Sequence, residues 1–207
     1  MNIYEHIDYT LLKPTATFED IYSLCEKAEE KGCASVCIPS YFVSNMGVYF
    51  PDLTICTVIG FPFGNSTLET KVAEAKKAIE DGADEIDMVI NISELKDSNY
   101  KYIKREIDTI REVTKGHILK VIIETCYLTN TEIENVVGLI QMTGADYVKT
   151  STGYGTRGAS FEDIAIMKSV IHSDLKIKAS GGIRTREEME KYLELGCDRI
   201  GASKLPE

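Results

Sequence analysis

The sequence has no long apolar run. Nothing in its 207 residues approaches the span of about 20 that crosses a bilayer. The N-terminal Met-Asn-Ile-Tyr-Glu-His has neither the basic nor the apolar region of a secretory signal, so a cytoplasmic location is expected. Basic charge is also short: 23 Lys and Arg stand against 33 Asp and Glu, a net charge of −10 with a pI near 4.9. Such a surface repels a phosphodiester backbone and argues against nucleic acid. It does not argue against a small phosphate ester, because lysines and backbone amides gathered at one place outweigh distant charge. The six cysteines, Cys25, Cys33, Cys37, Cys56, Cys126 and Cys197, contain no C-x-x-C pair and sit mostly in apolar runs, as reduced, buried thiols do. Only three histidines occur, His6, His117 and His172, without ligand spacing, so neither a catalytic metal nor another cofactor is expected.

What remains is a soluble composition, 43% hydrophobic and 27% charged, long enough for one domain spanning residues 1–207. Short strand-like runs alternate with amphipathic helices. The strands are expected at His6–Thr10, Ala34–Ile38, Leu53–Ile59, Glu85–Ile90, Leu119–Ile123, up to Lys149, Lys176–Ala179 and Asp198–Gly201. Helices are expected at Phe18–Lys31, from Pro39-Ser40, at Thr67–Asp81, Asn99–Lys115, Glu132–Met142, Phe161–Ile171 and from Thr185 to Leu195. Ser66 with Glu69 reads as a capping box for the third of these, whose inner stripe would be Leu68, Val72, Ala75 and Ile79. Strict alternation implies a parallel sheet covered by helices, and eight units at this length favour a closed α/β barrel, the (β/α)8 or TIM-barrel class.

Residues two apart on a strand share a face. If Ile86 and Met88 meet the helices, Glu85, Asp87 and Val89 point inward. The same parity turns Lys120, Ile122 and Glu124 inward, then Tyr147 with Lys149, then Lys176, Lys178 and Ser180. A barrel interior is usually filled by Val, Ile and Leu. Asp87, Lys120, Lys149 and Lys178 are costly to desolvate together, and ion pairing alone repays that poorly, so chemistry is the better explanation. Two inward lysines about 6 Å apart repel by roughly 3 kcal/mol at an effective dielectric near 20, enough to drive one of them towards neutrality. A neutral amine beside an ammonium and a carboxylate is a set suited to imine formation.

The stretch Asp-Tyr-Val-Lys-Thr-Ser-Thr-Gly-Tyr-Gly-Thr-Arg-Gly, residues 146–158, combines the end of a strand with a glycine- and hydroxyl-rich turn. Ser180-Gly181-Gly182 follows the seventh strand and Gly201-Ala202-Ser203 the eighth. Barrels commonly hold phosphate on backbone amides at those loops, and Gly153 from the sixth adds to them.

Taken in order, Ile-Asp-Tyr-Thr-Leu-Leu-Lys-Pro, Val-Ile-Gly-Phe-Pro-Phe-Gly, Asp-Glu-Ile-Asp-Met-Val, Leu-Lys-Val-Ile-Ile-Glu-Thr, Val-Lys-Thr-Ser-Thr-Gly and Lys-Ala-Ser-Gly-Gly-Ile-Arg-Thr resemble the metal-independent, Schiff-base-forming deoxyribose-phosphate aldolases from Ile7 to Ser203. The resemblance implies Lys149 as the imine-forming lysine, Lys178 as the neighbour that lowers its pKa and Asp87 as proton donor and acceptor. It also implies substrate contacts by Asp8, Thr10, Lys120 and Thr152, and phosphate binding by Gly153, Ser180, Gly181, Gly182, Gly201 and Ser203. The implied reaction is reversible cleavage of 2-deoxy-D-ribose 5-phosphate in deoxyribonucleotide catabolism. The expected partner is a small-molecule sugar phosphate, with no nucleic acid and no membrane, and a homodimer is compatible with the chain.

Three positions depart from the family pattern. Tyr9 replaces a histidine often found there. Arg157 stands in a turn that is usually glycine-rich, where it either adds a cation near the phosphate or sits in solvent. The sequence ends at Leu-Pro-Glu where relatives continue into a helix, so the final helix is expected to be short or missing. Two other readings stay open: a catalytically weak or silent barrel that binds sugar phosphate, and a class I aldolase for another sugar phosphate.

Overall fold

Eight strands close a parallel barrel in chain order, β1 to β8, with β8 pairing back onto β1. The computed structural model describes residues 2–206. The strands are β1 (Ile7–Thr10), β2 (Ser35–Cys37), β3 (Ile55–Ile59), β4 (Glu85–Val89), β5 (Ile118–Ile122), β6 (Tyr147–Lys149), β7 (Lys176–Ser180) and β8 (Arg199–Ala202). The helices are α1 (Phe18–Lys31), α2 (Val43–Tyr49), α3 (Leu68–Glu80), α4 (Ile92–Lys96), α5 (Tyr100–Val113), α6 (Asn130–Ile140), α7 (Phe161–Val170) and α8 (Arg186–Glu194).

The apolar core lies between barrel and helices. Ile86, Met88, Val121, Val148 and Ile177 point out of the barrel into it and meet Ile103, Ile107, Ile110, Ile133, Val137 and Ile164 from the helix layer. This outward apolar set confirms the strand parity and leaves the charged residues inside. Side-chain caps fix the helix starts: Thr17, Thr129, Ser160 and Thr185 each complete a reciprocal capping box, which satisfies amide donors that the first turn leaves free.

Several local expectations need correction. The cap of α3 is Thr67, which accepts from the Thr70 amide, and the Ser66–Glu69 box does not form. The buried stripe of α3 is Leu68, Lys71, Ala75 and Ala78, with Val72 and Ile79 only half-buried. A lysine can take that inner place because it is paired there: the Lys71 ammonium donates to Glu106 at 2.6 Å and to the Val89 carbonyl at 2.7 Å. The segment after β4 holds two helices, because Asn91 caps the short α4 before Asn99 caps α5. Pro39 does not start a helix directly; a 3-10 turn at Ser40–Phe42 precedes α2. No helix follows β8 among the described residues. The chain there runs through turn and coil, and the Tyr4 hydroxyl donates to the Pro206 carbonyl at 3.0 Å. No helix among the described residues is long and apolar enough to cross a membrane.

Candidate active site

Parallel register builds the site. Asp87 lies beside Lys120, Lys149 beside Lys178, and Lys178 beside Arg199. All of these project into the barrel, so charges from β1, β4, β5, β6, β7 and β8 converge on one volume. Lys120 donates to Asp87 Oδ1 at 2.8 Å, while Lys149 and Lys178 donate to its other oxygen, Oδ2, at 2.7 and 2.8 Å. Lys178 also pairs with Asp8, and Lys120 with Glu85 at 2.5 Å. Arg199 closes the network on Asp8 and on Glu85, the latter at 3.2 Å. Three lysines and an arginine thus face three carboxylates, and Asp8, Asp87, Lys120 and Lys178 are fully buried.

The electrostatics follow from that crowding. Burial alone would raise the Asp87 carboxyl, but Lys120, Lys149 and Lys178 outweigh it and hold it well below the usual carboxylate range. For Lys178, burial pulls the ammonium down, and Asp8 with Asp87 more than reverses this, so it stays charged well above the ordinary lysine value. Lys120 is likewise penalised by burial and raised on balance, chiefly by Asp87.

Lys149 is the interior lysine that borders open space. A cavity of about 380 Å³ lies above it, walled by Thr10, Thr152, Gly153, Ser180, Gly181, Gly182, Gly201 and Ser203 among others. The glycines are needed where these loops meet: a Cβ on Gly158 would lie 2.0 Å from the Gly181 carbonyl oxygen. The expected phosphate-loop residues therefore stand together beside the lysine.

Not every candidate reaches the cavity. Asp8 and Lys120 do not border it; they lie beneath, spent on ion pairs, so direct substrate contact needs another route. Lys176, expected inward, is exposed at the start of β7 and stacks 5.5 Å over the Tyr147 ring. Arg157 settles into a two-pronged pair with Asp163 at 2.5 and 2.9 Å and does not line the cavity. Tyr9 is half-buried against the apolar core on the outer side of β1.

A possible metal set needs the same test. Ligand atoms of Cys37, Cys56 and Asp87 lie within 4.8 Å of one another. The Lys120 ammonium already donates to Cys56 Sγ at 3.3 Å and to Asp87 Oδ1, placing a cation where a metal would sit, so the residues fit an ion poorly.

The family model for DeoC/LacD family aldolases matches residues 6–203. The chain belongs to that aldolase family. A deoxyribose-phosphate aldolase of Treponema denticola is 51% identical over 207 aligned residues, covering 98% of this chain and 96% of the relative. One of Clostridium botulinum strain Eklund 17B is 49% identical over 203 residues, covering 98% and 92%. Among solved structures, the tetrameric deoxyribose phosphate aldolase of Aeropyrum pernix superposes with a TM-score of 0.90 at 32% identity, covering 97% of this chain and 86% of that one.

In this aldolase the cavity also gathers residues that sequence reasoning passed over. Lys13 and Arg184 line it, from the loops after β1 and β7. Both sit inside the stretches that carry the resemblance, and a count of cations in the strand-end loops would have found them. Tyr154 crosses the mouth, its hydroxyl donating to the Leu12 carbonyl at 2.8 Å and its ring meeting Phe61 edge-on at 5.5 Å. Arg199 was detectable as an inward position on β8, two residues before Gly201.

Proposed function

We propose that the chain reversibly cleaves 2-deoxy-D-ribose 5-phosphate to acetaldehyde and D-glyceraldehyde 3-phosphate through a Schiff base on Lys149. The observation that carries this reading is that Lys149 alone of the three interior lysines borders the cavity walled by the glycine-rich loops.

Lys120, Lys178 and Arg199 pair with Asp8, Glu85 and Asp87, three basic groups against three carboxylates, so the buried network needs no charge on Lys149. The neutral amine adds to C1 of the open-chain sugar. With one proton taken up from solvent, the C1 oxygen leaves as water and a protonated imine remains, stabilised by the Asp87 carboxylate. Asp87, held by the Lys178 ammonium, takes the proton of the C3 hydroxyl through a water. The C3 oxygen becomes a carbonyl, the C2–C3 bond breaks, and its electron pair forms the C1–C2 enamine while neutralising the imine nitrogen. Departure of glyceraldehyde 3-phosphate leaves the enamine on Lys149. It takes a proton at C2, and water hydrolyses the resulting imine to acetaldehyde and free lysine. The amides of Gly153, Gly181, Gly182 and Gly201, with Ser180 and Ser203, hold the phosphate, and Lys13 and Arg184 add cations beside them.

Residues 1–207 act here as one unit. Six free thiols support a reducing, cytoplasmic setting. A homodimer is proposed on the exposed apolar side chains Tyr41, Val48 and Tyr49 around α2 and on the tetrameric Aeropyrum relative.

Purified protein given 2-deoxy-D-ribose 5-phosphate should release acetaldehyde, read by alcohol dehydrogenase and NADH, and Lys149→Ala should abolish it. Binding without release would favour the silent barrel. Release only from a different sugar phosphate would favour the other aldolase.

A further inference from the structure

Glu124 takes no part in the reaction above, yet it sits at the rim of the site in an unusual state. It follows β5 at φ 51° and ψ 67°, the left-handed region that a side chain enters at a cost. Its side chain is almost fully buried. Oε2 accepts the Thr152 amide at 3.2 Å and also the Thr152 hydroxyl. The same hydroxyl oxygen then accepts the Tyr154 amide at 3.0 Å. One carboxylate thus organises three consecutive residues, directly and through Thr152.

Gly153 is the middle of that turn, at φ 86°, and it borders the cavity. Its amide has no acceptor among the described residues, whereas the amides on both sides are engaged. Packing continues the mould: a Cβ on Gly155 would lie 2.6 Å from Cys126 Sγ and 3.2 Å from Glu124 Oε1. The loop is laid on Glu124 with no room to spare.

We propose that Glu124 is a positioning residue that shapes the turn at residues 152–155 so that the Gly153 amide is free to receive the substrate phosphate. The inference rests on the aldolase reading and deepens it. A carboxylate near an anion site weakens binding through its charge, so its contribution here is the acceptor oxygen and not the charge. Glutamine offers an oxygen of the same reach without the charge, which makes the two effects separable.

The experiment compares wild type, Glu124→Ala and Glu124→Gln by three readouts: calorimetric titration with inorganic phosphate, KM for deoxyribose 5-phosphate, and the rate of borohydride-trapped acetaldehyde adduct. Glu124→Ala should weaken phosphate binding by about tenfold or more and raise KM in step, since the two hydrogen bonds that hold Thr152 are lost. Trapping of acetaldehyde, which carries no phosphate, should stay at the wild-type rate. Glu124→Gln should bind phosphate as well as wild type or better. Unchanged phosphate affinity in Glu124→Ala overturns the proposal, as does a parallel loss of phosphate binding and trapping. A glutamine variant as weak as the alanine variant overturns it too, since the charge would then be what matters. Should Glu124→Ala fail to fold, Thr152→Val removes the hydroxyl that links Glu124 to the Tyr154 amide, and its phosphate affinity must fall. A wild type that binds phosphate but does not cleave deoxyribose 5-phosphate sinks the aldolase reading, while the phosphate titrations still decide the role of Glu124.

Discussion

Lys149 and Lys178 donate to the same oxygen of Asp87, at 2.7 and 2.8 Å. The two amines share that oxygen but not the same surroundings. Lys178 has a second carboxylate, Asp8, and no access to the cavity, whereas Lys149 has Asp87 and the open side. This asymmetry separates the lysine held within the charge network from the one open to the cavity.

Acetaldehyde with borohydride should therefore add two carbons to Lys149 alone, as located by peptide mass spectrometry. Labelling centred on Lys178 or Lys120 would reverse the assigned roles, because both lie behind the cavity floor.

Lys178→Met tests the charge argument. The Lys178 ammonium is held above the ordinary lysine value, so in wild type its charge persists through neutral and mildly alkaline pH. Removing it while keeping most of the side chain's volume should slow imine trapping at neutral pH by up to about a hundredfold, with partial recovery as pH rises. Turnover should stay impaired at high pH because the proton relay has lost a member. Lys176→Met, at an exposed lysine of the same strand, should leave the pH profile of trapping unchanged. Coincident profiles for wild type and Lys178→Met would show that the second lysine does not tune the first.

Chelators should leave activity intact. The proposed imine would supply the electron sink, and the Lys120 ammonium already occupies the Cys56 and Asp87 ligand atoms. A large loss restored by a divalent ion would point to metal chemistry instead.

Lys71 and Glu106 offer a stability test away from the chemistry. Both are fully buried, and burial lowers the lysine and raises the carboxyl, with each partner offsetting the other's penalty. Lys71→Met should cost about 3–5 kcal/mol in a denaturant titration, because Glu106 is left unpaired. Adding Glu106→Leu should restore much of that. A single variant near wild-type stability would mean that the pair is hydrated or already neutral.

The barrel itself was legible because alternation is a local signal. Short apolar runs bounded by Gly32, Gly82, Gly116, Gly144 and Gly196 repeat along the chain, and each of those glycines adopts a positive φ in the structure. Strand parity was equally readable: Asp87, Lys120, Lys149 and Lys178 share the interior because the side-chain period is two. The stripe of α3 was misread at Lys71, since a lysine counts as outward unless its partner is known, and that partner lies 35 residues away on α5.

The sequence by itself determined which face of each strand turns inward, though not that Lys176 at the start of β7 stays exposed, and which glycine loops end the strands, since both follow from backbone geometry over a few residues. Only the tertiary structure decided which charges pair. Register and barrel closure set those distances, binding Arg199 of the last strand to Asp8 of the first and putting Lys120 and Asp8 below the cavity that Lys149 borders. The same holds for Arg157, which had two readings along the chain and took Asp163 once α7 docked. Burial and partner distance are three-dimensional quantities, and they separate the lysine that borders the cavity from the two buried beneath it.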